Sequence, residues 1–339
     1  MSAALPSSRS TSFAQRWRGC HLLSMDDVTR DDMEELFAMA QCFDRRLRAG
    51  EVLDVLRGRV LGVLFFQPST RTRMSFETAM LRLGGGVTGF ADPAVTRAGD
   101  FYRERLEDVA RVASEYADVL ALRHPENGAA ARAAAKSRVP LLNAGDGYNQ
   151  HPTQALGDLF AMHREHRGLD GLTIGLVGPL RIRSLRAICT GLSRFDVRIL
   201  VVTPPGGLDA DVIRRLDESG TRWELRRSVD QLIHEVDVLE TIGVNHPDHN
   251  LARDVRSASD QRTPDEFRLT AAKLAGAGEG LTVLHPMPRT DELDPDVDAL
   301  PHARYFQQCR DGMLMRMALI AAVLSPTHNP HDPQETTSR

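Results

Sequence analysis

Two hydrophobic patterns alternate along the chain. Short continuous apolar runs, such as RVLGVLFF over residues 59–66, are what strands covered on both faces require. Elsewhere apolar residues recur three or four positions apart, as in Met33, Leu36, Phe37, Ala40, Phe43 and Leu47, which is the pattern of a helix with one buried face. Thr29, followed by Asp31 and Asp32, caps that helix, and Gly50 ends it. The first pattern predicts further strands at 87–90, 119–122, 139–143, 172–177, 197–202, 236–239 and 281–284. The second predicts helices at 70–83, 106–116, 153–166, 185–193, 209–219, 264–275 and 311–324. Strand and helix in alternation build mainly parallel sheets with helices on both faces. The expected fold is α/β, with two doubly wound parallel-sheet domains and no internal repeat. The break falls near residues 151–156, where a helix follows one series and a second series opens at LTIGLVGPL. The apolar last helix is expected to pack back on the first domain.

Length agrees with two domains, because 339 residues exceed the size at which one core stops growing. With 42% hydrophobic and 26% charged residues, the composition is that of a soluble globular protein. A net charge of −4 offers no reason to expect a nucleic-acid partner. No apolar run reaches the roughly 18 residues that a membrane helix needs. Cys20, Cys42, Cys189 and Cys309 are far apart and form no CxxC pair, which suits the reducing cytoplasm and excludes a disulfide framework or a zinc site. Lysine occurs only at 136 and 273, so nearly all basic chemistry here is arginine chemistry. Residues 1–20 read as a disordered extension, and the polar, proline-bearing residues 325–339 as a disordered tail.

The chemistry concentrates where apolar runs end. Ser69-Thr70-Arg71-Thr72-Arg73 follows the first buried strand and opens a helix. Ligands of open α/β sheets bind beyond the carboxyl ends of the strands. Backbone N–H groups at a helix start, with hydroxyls and a guanidinium, make a pocket for a dianion such as phosphate. Three more strand ends carry polar sets. They are Arg123 and His124, then His151-Pro152-Thr153-Gln154 at a helix start, then His285-Pro286-Met287-Pro288-Arg289. Each alone is compatible with an ordinary cap or turn.

Taken in order, these motifs resemble those of the aspartate/ornithine carbamoyltransferase family, over about residues 21–324. The family's Ser-Thr-Arg-Thr-Arg stands at 69–73 and its His-Pro-Thr-Gln at 151–154. The His-Pro-Leu-Pro-Arg of its aspartate branch stands at 285–289 with Met287 for Leu, and the chain is closest to the catalytic chain of that branch. The resemblance implies a carbamoyltransferase that moves a carbamoyl group from carbamoyl phosphate to an amine without metal or organic cofactor. It implies that Ser69, Thr70, Arg71 and Thr72 hold the phosphate. Arg123, His151 and Thr72 would donate to the carbonyl oxygen, where negative charge grows. Gln154 and the backbone carbonyls of Pro286 and Met287 would take the carbamoyl NH2. The domains would be 21–152 with 309–324 for the donor and 153–308 for the acceptor. Family members are homotrimers with shared active sites, each completed by a neighbour's Ser-x-x-Lys-Gly-Glu loop. The matching stretch, TRAGDFYRERLED, lacks that serine, lysine and glycine, which leaves Arg97, Arg103 or Arg105 to supply charge.

The acceptor half departs further. Arg183 best matches one arginine of the aspartate branch, with Arg181 and Arg186 as possible stand-ins. The second arginine, of an Arg-x-Gln motif, aligns with Gly243, and its glutamine with Asn245. Glu240, at the end of a strand, is expected to face the acceptor, and Arg289 to contact it. A glycine cannot grip a second carboxylate through a side chain, so the acceptor expected here is a non-aspartate amino acid, such as a diamino acid. Two other readings stand beside this one. One is an aspartate carbamoyltransferase of pyrimidine biosynthesis, and the other is a catalytically silent homologue that assembles with or regulates an active enzyme.

Overall fold

The structure, a computed structural model, describes residues 9–99, 103–244 and 262–324. The chain enters through α1 (Arg9–Trp17) and α2 (Arg30–Arg48). A first unit follows, with β1 (Val60–Phe65), α3 (Thr70–Arg82), β2 (Gly86–Phe90), α4 (Leu106–Ala113), β3 (Val119–His124), α5 (Ala129–Ala134) and β4 (Leu141–Asp146). Then α6 (Pro152–His166) leads to β5 (Thr173–Val177), α7 (Arg183–Leu192), β6 (Arg198–Val202), α8 (Ala210–Glu218) and β7 (Arg222–Leu225). The chain continues through α9 (Val229–Leu232), β8 (Val238–Thr241), α10 (Ala271–Leu274), β9 (Thr282–Leu284) and α11 (Tyr305–Leu324).

The strands form two sheets, ordered β2-β1-β3-β4 and β7-β6-β5-β8-β9. Every strand pairing in them is parallel, with Leu61 opposite both Val87 and Val119, and Ile174 opposite both Ile199 and Val238. The two-domain α/β expectation therefore holds. Parallel pairing aligns the carboxyl ends of all strands in a sheet, so the turns after β1, β3 and β4 gather along one edge. No helix among the described residues is long and apolar enough to cross a membrane.

Local structure differs from expectation in several places, among them the short α5 and α9, which no predicted helix covers. Part of the extension expected to be disordered is α1, whose Phe13 and Trp17 are buried. Trp17 Nε1 donates to Asp32 Oδ1 at 2.8 Å, so a carboxylate that also caps α2 anchors the extension. The strand β7 was not expected, because Arg-Trp-Glu-Leu at an exposed sheet edge has no apolar run. The helix expected at 264–275 is broken. Leu269 bridges Leu293, Thr270 caps the short α10, and Phe267, at the end of a 3-10 turn, and Leu269, on extended backbone, enter the core. The last helix begins six residues earlier than the apolar pattern suggests, at Tyr305. It packs on α2, α3 and α6 and is buried on most sides, as expected of a helix returning to the first domain. Residues 325–339 lie outside the described residues.

Candidate active site

Ser69 opens α3 as its N-cap, and its hydroxyl accepts from Thr72 N at 3.3 Å. Thr70 and Arg71 are exposed and Thr72 is buried. These residues edge a cavity of about 390 Å³ that is also lined by Gln154, Pro286 and Arg316. That volume lies within the range of small-ligand pockets, roughly 300–1,000 Å³. The first turn of α3, the start of α6, the turn after β9 and α11 thus meet around one space.

Behind this space three arginines are buried. Arg123, at the end of β3, is buried, and its Nη1 reaches Ala144 O at 3.3 Å. Arg183, at the start of α7, is buried too, with Nη1 on Gly147 O at 2.9 Å and Nη2 on Gln67 Oε1 at 3.1 Å. Gly145, at φ +109°, makes this possible, since a Cβ there would lie 3.0 Å from Arg183 Cζ and 3.2 Å from His151 Cδ2. Arg316 is buried on α11 with its guanidinium 5.1 Å from the Phe76 ring centroid.

Burial, and then the charges of Arg183, Arg71 and Arg316, push the Arg123 pKa well below its usual value. Burial brings Arg183 and Arg316 down to about 10. The same burial, with Arg183, Arg123 and Arg316 close by, drives the His151 pKa far down. His151 is therefore neutral near pH 7 and keeps one ring N–H to donate. Arg123 Nε and Arg316 Nε and Nη2 are buried without a hydrogen-bond partner among the described residues. Buried cations without partners are costly, and an anion with several oxygens would satisfy them.

Gln154 has its orientation fixed. Its Nε2 donates to Asp158 Oδ1 at 2.7 Å, which leaves Oε1 as the acceptor end of the amide. The turn after β9 is held as firmly. His285 Nδ1 accepts from Met287 N at 2.8 Å and its Nε2–H donates to Glu292 Oε1 at 2.9 Å. Although burial opposes it, hydrogen bonds from His285 and Thr290 hold the Glu292 pKa at about 2. The imidazole of His285 therefore braces the turn, and the backbone of Pro286 and Met287 is what the turn can present.

The expected acceptor residues divide. Of the three arginines near the start of α7, only Arg183 points back toward His151. Arg181 Nη1 donates to Gly206 O at 3.2 Å, and Arg186 pairs with Asp209. Glu240, expected to face the acceptor, is fully buried, and its oxygens lie 3.3 and 3.4 Å from Gln308 Nε2. Arg289 is committed to Asp298, with Nη2 on Oδ2 at 2.8 Å, and lies beside the Tyr305 and Phe306 rings. Gly243 is buried just beyond β8, and Asn245 falls outside the described residues. Arg97, Arg103 and Arg105 are exposed, and none lines the cavity of its own chain. Sequence reasoning missed Arg316, Asp158 and Gln308. A lone arginine inside the apolar run LMRMALIAAVL, and an acid four residues after Gln154 on one helix face, were the available signals.

Comparison with known proteins gives a consistent result. The family model for the aspartate/ornithine carbamoyltransferase carbamoyl-P binding domain matches residues 20–164, and that for the Asp/Orn binding domain matches residues 170–323. The aspartate carbamoyltransferase catalytic subunit of Archaeoglobus fulgidus is 40% identical over 310 residues, covering 90% of this chain and 99% of that one. The corresponding subunit of Pyrobaculum calidifontis is 39% identical over 315 residues, covering 91% and 99%. Aspartate transcarbamoylase from Trypanosoma cruzi, solved in complex with aspartate and phosphate, is similar with a TM-score of 0.83 and 34% identity, covering 95% of this chain and 98% of that one.

Proposed function

Because this chain belongs to the aspartate/ornithine carbamoyltransferase family and is a carbamoyltransferase, we propose that it transfers the carbamoyl group of carbamoyl phosphate to the amine of aspartate. The observation that carries the donor assignment is the set of buried guanidinium atoms without partners beside the start of α3. The aspartate assignment rests on full-length relatives that bear that activity in their names. The product, N-carbamoyl-aspartate, would place the reaction in pyrimidine synthesis.

In this reading Ser69, Thr70, Arg71 and Thr72 bind the phosphate at the helix N-terminus, where N–H groups and the helix dipole favour a dianion. Arg123, neutral His151 and Thr72 donate to the carbonyl oxygen. The free amine attacks the carbonyl carbon, and the C–O π pair moves onto that oxygen, where the donors stabilise it. The oxyanion collapses, the bond to phosphate oxygen breaks, and the departing phosphate takes the proton lost by the amine. Gln154 Oε1 and the carbonyls of Pro286 and Met287 hold the carbamoyl NH2 throughout. Arg183 is the cation available for an acceptor carboxylate.

A second reading is favoured by Gly243, which brings no side chain to the space beyond β8. Here the acceptor is an amino acid whose side chain needs no second cation, such as a diamino acid. An acceptor screen with carbamoyl phosphate, reading released phosphate, separates the two. Aspartate is expected to exceed every diamino acid in kcat/KM, and the reverse order would transfer the assignment to the second reading. The proposal extends to a homotrimer in which Arg97, Arg103 or Arg105 of one copy approaches the donor site of the next. Sedimentation equilibrium is then expected to give three times the 37.5 kDa chain mass, and a monomer would refute it.

A further inference from the structure

Two carboxylic acids face the inside of the molecule behind the donor cavity, and the transfer scheme leaves both unused. Asp158 lies on α6 and Glu240 on β8, and each is fully buried. One amide joins them. Gln308, on α11, donates from Nε2 to Asp158 Oδ1 at 2.7 Å and to the Glu240 oxygens at 3.3 and 3.4 Å. Its Oε1 accepts from His285 N at 2.8 Å, which fixes which end of the amide points where. Asp158 Oδ1 also accepts from Gln154 Nε2, while Asp158 Oδ2 has no partner among the described residues. A single polar chain therefore runs from Glu240 through Gln308 and Asp158 to Gln154, with a branch to His285 and the turn of Pro286. Both ends of the chain that reach the cavity are groups assigned to the carbamoyl NH2.

We propose that Asp158 and Glu240 share one proton, and that the pair, held together by Gln308, aims Gln154 Oε1 at the carbamoyl group. Both acids are positioning residues, and this role rests on the carbamoyl-transfer reading of the cavity. The charge surroundings require a proton in the pair. From α11, Arg316 faces Asp158 with one positive charge, and the Cys309 thiol beside it is held neutral by burial. From the end of β9, His285 contributes a backbone N–H while its ring is turned to Glu292. Glu240 has no cation of its own in hydrogen-bond reach among the described residues. Two adjacent carboxylates sharing one guanidinium in a dry interior do not both ionise. Burial accordingly raises Asp158 to about 7, and burial together with Asp158 raises Glu240 well above the usual range.

The sign of the pH effect follows. Groups whose pKa is raised on folding stabilise the folded state at low pH, and that contribution is lost as pH rises through the folded value. When the last proton leaves, like charge separates β8 from α6, and Gln154 loses its fixed acceptor. The whole protein and its Glu240→Gln and Asp158→Asn variants test this. Each variant removes one charge while keeping shape and a hydrogen-bonding amide. The unfolding temperature of the parent is expected to fall as pH rises from about 4 through about 7, and to fall less in Glu240→Gln. The basic limb of kcat/KM for carbamoyl phosphate is expected to be lost in Glu240→Gln, because its one remaining carboxylate carries at most the single charge that the active parent pair already holds. Affinity for inorganic phosphate, which does not involve Gln154, should stay within about twofold. Superimposable unfolding profiles, or an unmoved basic limb, overturn the proposal. If Glu240→Gln does not fold, Asp158→Asn carries the same two readouts. If the parent itself carbamoylates no amine, the transfer reading fails. The pair is then judged on affinity for carbamoyl phosphate relative to inorganic phosphate over the same pH range, where an unchanged ratio overturns it.

Discussion

Replacing Arg123 by methionine is expected to lower kcat/KM for carbamoyl phosphate by about a thousandfold while leaving the protein as stable as the parent or more so. Loss of one oxyanion donor typically costs about 10²–10³ in rate, and this guanidinium is assigned to the oxyanion with phosphate close by. The stability half of the expectation comes from its surroundings. Arg123 is buried, its Nη1 makes a long hydrogen bond to Ala144 O at 3.3 Å, and Arg183, Arg71 and Arg316 all repel it. Methionine keeps much of the volume and removes a buried charge that has no acid to pair with, an exchange that is often neutral or stabilising. Steady-state kinetics with differential scanning calorimetry checks both halves. A variant that is both active and less stable would show that Arg123 is a structural group.

The second large effect is mechanical. Gly157→Leu is expected to destabilise the protein by about 3 kcal/mol or more, the upper range for overpacking. A Cβ at Gly157 would lie 3.0 Å from Gly312 Cα, so the atom it meets is backbone and cannot rotate aside. The two helices that cross there, α6 and α11, carry Gln154 and Asp158 on one side and Gln308 and Arg316 on the other. Driving them apart should therefore weaken donor binding as well as folding. Urea unfolding followed by carbamoyl phosphate calorimetry reads both, and an unchanged urea midpoint would refute the close crossing. Gly157→Ala should show the same direction with a smaller cost.

Much of this site was legible before any coordinates. Ser69 to Thr72 stood out because hydroxyls and arginines end a buried strand, and the structure puts them at a helix start beside a cavity. Arg183 was separated from Arg181 and Arg186 only by alignment, yet it is the one that turns inward. What stayed hidden depended on tertiary contact. Glu240 reads as a strand-end residue that could look either way, and only the packing of α6 and α11 turns it toward Gln308. Tyr305 to Arg310 look polar enough for a loop, but Tyr305 and Gln308 are buried and the segment is helical. The edge strand β7 has no local signal, because an exposed edge strand does not need the apolar run that marks a central one. The break at Leu269 arises where pairing with Leu293 outweighs a helical pattern.

The position of α11 also sets a timetable. The donor cavity needs Arg316 and Gln308, and both are translated after the two sheets and after the α3, α6 and β8 residues they contact. A nascent chain that has completed both sheets therefore still has an open gap between α3 and α6. Ligand recognition must wait until the ribosome has extruded this helix, so occupancy by the donor would report that synthesis has passed it.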